Sequence, residues 1–322
     1  MRIAITPSSF ARYSEAPLDL LRERGIDYVM NDTGRTLTED EAIRILQGCV
    51  GVAAGTEPLG RHVLEACPEL RAISRCGTGM DNVDHDCARE RGVAVRNTPD
   101  GPTLAVAELT VGLVLTLLRQ APHQDREIRA GVWKKRMGNL LHGKRVGIVG
   151  FGRIGHAVAR LLAPFGVEIA YADPHCEDDA YSRLGLDALM DWADIVTLHC
   201  AKPKGGVLLD KGRLSLMRPG SYVINTARGG LVDENALYGL LVAGHLGGAA
   251  LDVFAHEPYD GPLREMNNVI LTPHIGSYAR EARILMEMDT IRNLLAALDQ
   301  SPDAAEGAAG ETTDGATNGT TA

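Results

Sequence analysis

The 322-residue sequence is poor in aromatic residues (4%), has no surplus of basic charge and holds only six cysteines. Few aromatics beside 36 glycines put the weight on backbone turns rather than stacking surfaces. A net charge of −9 argues against nucleic acid or an anionic membrane as partner, since both select basic surfaces. Cys49, Cys67, Cys76, Cys87, Cys176 and Cys200 form no C-x-x-C pair, and a chain this long does not need disulfides. They read as reduced, mostly buried thiols of a cytoplasmic protein, and no metal site is expected. The N-terminal run Met1–Pro7 is too short for a signal peptide. The longest apolar stretch, Leu104–Leu118, contains Glu108 and reads as a buried helix rather than a membrane span.

What is present is alternation. Short β-like runs (Arg2–Thr6, Asp27–Met30, Val50–Ala54, Ala72–Arg75, Val93–Val95) are separated by helical patterns, the signature of parallel βαβ units. Thr38-Glu-Asp-Glu41 reads as a capping box opening one such helix. The turn-rich Asn97–Pro102 breaks the series and marks a boundary. A long apolar helix near Thr103–Arg119 follows. Six further strands then complete a dinucleotide-binding sheet: Arg145–Val149, Val167–Tyr171, Ile195–His199, Ser221–Asn225, Ala249–Val253 and Asn268–Leu271. A last helix spans about Tyr278–Leu298. The tail from Ser301 has four acids, no Lys or Arg and almost no large apolar group, so it reads as disordered. It supplies −4 of the −9 and leaves −5 for the first 300 residues.

Gly150-Phe-Gly152-Arg153-Ile154-Gly155 follows a strand and opens a helix, Ile154–Phe165. Gly150 permits the tight turn, Gly152 lets the backbone approach a pyrophosphate, and Gly155 lets helix and strand pack closely. Free N–H groups at the helix start complete an anion site. Asp173 ends the next strand, 18 residues after Gly155, near the usual ~20. A carboxylate there hydrogen-bonds ribose hydroxyls and repels a 2′-phosphate, which favours NAD over NADP.

Three later segments carry polar groups at strand ends, where this fold binds ligands: Asn225–Gly230 with Arg228, Leu251–Pro258 with Asp252 and Glu257, and Thr272–Gly276 with His274. Hydride chemistry on a 2-keto acid needs a cation for the carboxylate, an acid/base for the carbonyl oxygen and a group that orients that acid/base. Arg, His and Glu suit those needs. Taken singly, each residue also reads as a surface cation, a loop carboxylate or a satisfied strand-end histidine.

With Arg75-Cys-Gly-Thr-Gly-Met-Asp-Asn-Val-Asp84, Thr226–Gly230, Asp252–Pro258 and Pro273-His274, the sequence resembles the D-isomer-specific 2-hydroxyacid dehydrogenase family, in particular its phosphoglycerate dehydrogenase-like branch, over roughly residues 45–295. The resemblance implies a two-domain α/β fold, a flavodoxin-like substrate domain and a Rossmann NAD domain, each a doubly wound parallel sheet, with a cleft between them. The expected division is 1–98 plus 278–300, 99–277, and the tail 301–322. It implies that Arg228 binds and polarises substrate, His274 exchanges the proton and Glu257 pairs with His274. Cofactor contacts are implied for Thr78, Gly150, Gly152, Arg153, Ile154, Gly155, Asp173, Cys200, Thr226, Ala227, Arg228, Asp252, His274 and Gly276, and substrate contacts for Arg75, Gly77, Arg228 and His274. A homodimer through the NAD domain is also implied.

Some features depart from that pattern. Ala53-Ala-Gly-Thr56 lacks an Arg that some relatives place near this point for a substrate phosphate. Arg75, Arg280 and the Lys134-Lys-Arg136 cluster are the candidate replacements, and Lys202 and Lys204 face either phosphate groups or solvent. Asn82 and Asp84 read as turn braces, and His199 as a residue near the cofactor. The 48 residues after His274 leave no room for an appended regulatory domain. The substrate stays open between 3-phosphoglycerate, another phosphate- or phosphonate-bearing acid, and glyoxylate or hydroxypyruvate. A non-catalytic NAD-sensing protein is the reading from a different class.

Overall fold

Strands in this protein pair only in parallel among the described residues, and each sheet is flanked by helices. The computed structural model describes residues 1–203 and 205–300, so the tail and Lys204 lie outside the described residues. The chain divides into two units, Met1–Pro102 with the segment from Arg280 onward, and Thr103–Ala279.

The first unit orders five strands as β2-β1-β3-β4-β5: β1 Arg2–Ile5, β2 Asp27–Met30, β3 Gly51–Ala54, β4 Ala72–Arg75 and β5 Ala94–Asn97. Strand β3 is buried along its whole length, as a parallel strand covered on both faces must be. Between the strands run α1 (Ala16–Glu23), α2 (Glu39–Leu46), α3 (Arg61–Ala66) and α4 (His85–Glu90). The capping box expected at Thr38 is present, with Thr38 and Glu41 bonding each other's backbone N–H groups. Asp84 caps α4 by accepting from the Cys87 N–H, and Asn82 donates to the carbonyls of Gly55 and Glu57. Both therefore brace turns.

The second unit begins within α5 (Asp100–Leu118) and continues through α6 (Ala121–Arg129), β6 (Arg145–Val149), α7 (Arg153–Leu162), β7 (Glu168–Ala172) and β8 (Ser182–Arg183). It is completed by α8 (Leu186–Trp192), β9 (Ile195–Leu198), α9 (Lys211–Leu216), β10 (Tyr222–Asn225), α10 (Glu234–Val242), β11 (Gly248–Leu251) and β12 (Val269–Leu271), after which α11 (Arg280–Asp299) returns the chain to the first unit. The sheet order is β12-β11-β10-β9-β6-β7-β8. It has seven strands, not the six read from sequence. The extra one, β8, is a two-residue exposed edge pairing with β7, too short to show any periodicity.

Helix α5 starts at Asp100, inside the segment read as a turn. Its Pro102 lies in the first turn, where the backbone N–H groups have no intrahelical acceptor and proline costs nothing. By length and composition α5 is the one described helix that could cross a membrane, with mean hydropathy 1.7. Its Ala107, Val114, Leu117 and Leu118 instead pack into a core with Ile148, Phe151 and Val158.

Candidate active site

Two groups of residues meet along the carboxyl edge of the second unit's sheet. The first surrounds its switch point, the gap between β6 and β9 where strand order reverses. Gly150 leaves β6 with φ +88°, and a Cβ there would stand 2.6 Å from the Cys200 nitrogen. Gly155, in the first turn of α7, faces the Gly150 carbonyl so closely that a Cβ would lie 2.3 Å from it. Gly152 caps α7 without any side-chain hydrogen bond, and nothing lies within 4 Å of where its Cβ would be. That open face beside the uncapped helix start suits a pyrophosphate. Arg153 and Ile154 open the helix, Arg153 exposed and Ile154 half-buried.

Asp173 follows β7. Its carboxylate accepts from the N–H groups of Phe151 (2.7 Å), His175 (2.7 Å) and Cys176 (3.0 Å). Burial works to raise its pKa, but these three donors prevail and hold it below the ordinary aspartate value. A cavity of about 650 Å³, lined by Val149, Gly150, Asp173, Pro174, Cys200 and Leu208 among others, opens beside it. An apolar cavity ending on a fixed carboxylate, next to an open helix start, fits the adenosine and pyrophosphate of a dinucleotide. Cys200 is half-buried in that wall, with its thiol pKa pushed up by burial. Desolvation pushes the pKa of half-buried His199 down to about 3, and its Nε2 lies 2.9 Å from Thr197 Oγ1.

The second group follows three adjacent strands, β10, β11 and β12. After β10, Asn225 organises the turn, accepting from the Ala227 N–H (3.1 Å) and donating to the Arg228 carbonyl (2.9 Å). Thr226 is buried and pairs with Thr110 of α5 at 2.9 Å. The half-buried Arg228 donates from Nη1 to the Ala227 carbonyl at 2.7 Å. A Cβ on Gly229 would collide with the Phe254 carbonyl, so the loops after β10 and β11 interlock.

In the β11 loop, Glu257 Oε1 accepts from the Phe254 N–H (3.1 Å) while Oε2 lies 2.9 Å from His274 Nδ1. With Nδ1–H donated to Glu257, His274 Nε2 is the nitrogen left to exchange a proton. His274 has φ +55°, a left-handed conformation rare for a residue with a side chain. Asp252 holds it there. This buried carboxylate accepts from Thr272 Oγ1 (2.6 Å) and the N–H groups of Ile275 (2.8 Å) and Gly276 (2.8 Å), and its carbonyl accepts from the His274 N–H (2.9 Å).

The structure thus joins Glu257 to His274 and places Arg228 on the neighbouring strand end. It directs the Asp252 carboxylate to the His274 turn, a task that sequence spacing did not reveal. Arg75, Gly77 and Thr78 belong to the first unit. There Arg75 Nη1 donates to the Cys76 carbonyl and folds over Gly77, which has φ +140° and where a Cβ would meet the Arg75 guanidinium. The Thr78 carbonyl accepts from Asn97 at 2.8 Å. In the Lys134–Arg136 cluster, Arg136 is held by Glu127 in a two-pronged pair (2.7 and 2.6 Å), so only Lys134 and Lys135 stay available as exposed cations there. The Asp173 backbone donors and the Phe254 N–H were not anticipated; main-chain groups carry no residue-type signal.

Comparison with known proteins agrees with this layout. Residues 111–276 match the family model described as D-isomer specific 2-hydroxyacid dehydrogenase, NAD binding domain. D-3-phosphoglycerate dehydrogenase from Archaeoglobus fulgidus is 35% identical over 286 residues, covering 85% of this chain and 54% of that protein. The protein of that name from Mycobacterium tuberculosis is 41% identical over 246 residues, 74% of this chain and 47% of that one. The chain spans about half the length of these curated relatives. Among solved structures, the TT0316 protein from Thermus thermophilus superposes with a TM-score of 0.86 at 36% identity, covering 93% of this chain and 97% of that one. A glyoxylate reductase from Paecilomyes thermophila superposes with 0.82 at 27% identity, covering 93% and 96%. The glycine turn, the fixed aspartate and the strand-end Arg, Glu and His all fall on one matched frame, and the chain belongs to the D-isomer specific 2-hydroxyacid dehydrogenase family, with residues 111–276 as its NAD-binding domain.

Proposed function

We propose that the protein is an NAD-dependent dehydrogenase that interconverts a D-2-hydroxy acid and its 2-keto acid. The observation that carries this reading is the His274–Glu257 pair at 2.9 Å, on strand ends next to that of Arg228. NAD, when bound, supplies or accepts the hydride at substrate C2. Gly150, Gly152 and Gly155 admit its pyrophosphate, Arg153 and Ile154 flank it, and Asp173 holds its adenine ribose. Cys200, Thr226, Ala227 and Gly276 form the wall along its length. Arg228 binds the substrate carboxylate and polarises the carbonyl through its planar fork of donors. His274 Nε2 gives a proton to the C2 oxygen in reduction and takes it back in oxidation. Glu257, itself fixed by the Phe254 N–H, stabilises the imidazolium and keeps Nε2 turned outward. The first unit supplies substrate recognition through Arg75 and Gly77.

The test is NADH oxidation with a panel of 2-keto acids. His274→Gln should lower turnover about 10²–10⁴-fold while NADH affinity and melting temperature stay near wild type. Near-wild-type turnover in that variant sinks the assignment. Tight NADH binding with no turnover of any acid would instead favour an NAD-sensing interaction protein. We place the enzyme in the cytoplasm, where free thiols such as its six persist. We also propose that it pairs as a homodimer through the second unit. Exposed Ile128, Val132, Trp133, Met137 and Leu140 follow one another there, an apolar run that a second copy would cover.

A further inference from the structure

The first unit's sheet, ordered β2-β1-β3-β4-β5, has its own switch point between β1 and β3. Open sheets with this strand order bind ligands, phosphate-bearing ones among them, in the crevice outside the carboxyl ends of the strands at that point. Here the loops are Thr6-Pro7 and Gly55-Thr56-Glu57, and the crevice is filled from within. The Glu57 side chain is buried at 1% exposure. Its Oε1 lies against the Thr6 hydroxyl at the end of β1 and accepts from the Gly55 N–H at 3.0 Å at the end of β3. The Gly55 N–H is shared with Thr6 Oγ1, also at 3.0 Å. A Cβ on Gly55 would stand 2.8 Å from Glu57 Oε2 and 3.3 Å from Pro7 Cα, so no space remains beside Gly55, where the two loops approach. Asn82, the next amide within reach, spends its donors on the carbonyls of Glu57 (2.7 Å) and Gly55 (3.3 Å). Three donors at this edge, the Gly55 N–H, the Thr6 hydroxyl and the Asn82 amide, are therefore already bonded to an internal carboxyl group or to its neighbours' carbonyls.

We infer that Glu57 is a specificity-determining residue that closes this crevice to an anionic tail, so that the substrate is a small 2-keto or 2-hydroxy acid without a phosphate. This rests on the dehydrogenase reading above, with the first unit as the substrate-recognition unit. The closure does not depend on the ionisation of Glu57. Protonated or not, its carboxyl occupies the volume and uses the Gly55 N–H. Ionised, it also repels a phosphate directly.

The experiment compares kcat/KM for 3-hydroxypyruvate and its 3-phosphate ester, which differ only in the anionic tail. Wild type should prefer the unphosphorylated acid by at least about 100-fold. Glu57→Gln keeps the accepting oxygen and should hold that ratio within about threefold. Glu57→Ala releases the Gly55 N–H and the Thr6 hydroxyl and should narrow it by about tenfold or more. Equal or better use of the phosphate ester by wild type overturns the inference and leaves the dehydrogenase reading intact. So does an unchanged ratio in a folded Glu57→Ala variant. Should Glu57→Ala fail to fold, Glu57→Asp, one methylene shorter and so withdrawn from the crevice, takes its place: its ratio should narrow, and an unchanged ratio in that folded variant overturns the inference. Turnover of neither acid, nor of glyoxylate, removes the dehydrogenase reading itself, and the inference with it.

Discussion

Replacing Asp252 separates two roles that are easily confused, building the catalytic turn and touching the cofactor. The carboxylate is 1% exposed and accepts three hydrogen bonds, from Thr272 Oγ1, the Ile275 N–H and the Gly276 N–H. Hydrogen bonds to a charged group contribute about 1.5–3 kcal/mol each. Asp252→Asn keeps one accepting oxygen but sets an amide N–H₂ against one of the N–H donors, so it loses at least one bond, about 2 kcal/mol. Asp252→Ala loses all three, at least about 4 kcal/mol, a large share of a domain's stability of about 5–15 kcal/mol. His274 also sits at φ +55°, a conformation costing a side-chain-bearing residue about 1–2 kcal/mol, which the turn releases once it loosens. About 2 kcal/mol changes an equilibrium roughly 30-fold, so Asp252→Asn should lower kcat about 10–30-fold by depopulating the arrangement that holds His274 against Glu257. Asp252→Ala should lower kcat further and melt earlier. The assay is kcat at saturating NADH and keto acid, with NADH affinity measured separately by fluorescence and stability by thermal melting. Should Asp252→Asn keep its kcat within about twofold while NADH affinity falls, Asp252 acts as a cofactor contact and the reasoning about the turn is wrong.

Gly155→Ala would drive a Cβ to 2.3 Å from the Gly150 carbonyl. The overpacking should destabilise the protein by about 1–3 kcal/mol and weaken NADH binding about tenfold or more; unchanged melting and binding would refute the close-packing argument. Asp173 is held below the ordinary aspartate range, so the ionised form it offers the ribose is present above the unfolded value of about 3.9 and is lost only as pH falls through the lower folded value. NADH affinity should therefore stay flat from pH 8 to pH 5, and a decline centred near pH 5 in fluorescence titration would count against it. Analytical ultracentrifugation should find a dimer for the wild type and a larger monomer fraction for Trp133→Ser combined with Met137→Ser; a monomeric wild type would end the pairing proposal.

Most of the architecture was legible because parallel sheets write themselves plainly. Their strands are buried on both faces, and runs such as Ile195–Leu198 or Gly248–Leu251 have no alternation to confuse with an exposed strand. The glycine turn was legible for a related reason: at Gly150 and Gly155 a side chain is sterically excluded, and the sequence must show it. What escaped was set by the third dimension. Edge strand β8 is two residues long and exposed, and carries no periodic signal. Helix α5 begins within a segment rich in turn residues because proline is permitted in a first turn. The Asp252 carboxylate and the Gly276 N–H it accepts from are 24 positions apart, so its service to the His274 turn becomes visible only when β11 and β12 lie side by side.

Charge placement follows the same logic and bears on substrate choice. A run such as Lys134–Arg136 looks like an anion site in one dimension, yet Glu127, nine positions earlier, takes Arg136 in a two-pronged pair. The first unit shows the reverse case, where a missing cation is more informative than a present one. A loop without arginine at the end of β3 could still bind a phosphate through its backbone N–H groups. Here the Gly55 N–H is already committed to Glu57 and Thr6, which narrows that route as well. Net charge could decide only the class of partner. On the inference above, acceptance of a phosphate-bearing acid turns on one N–H and one hydroxyl at a strand edge, and in this fold both are engaged.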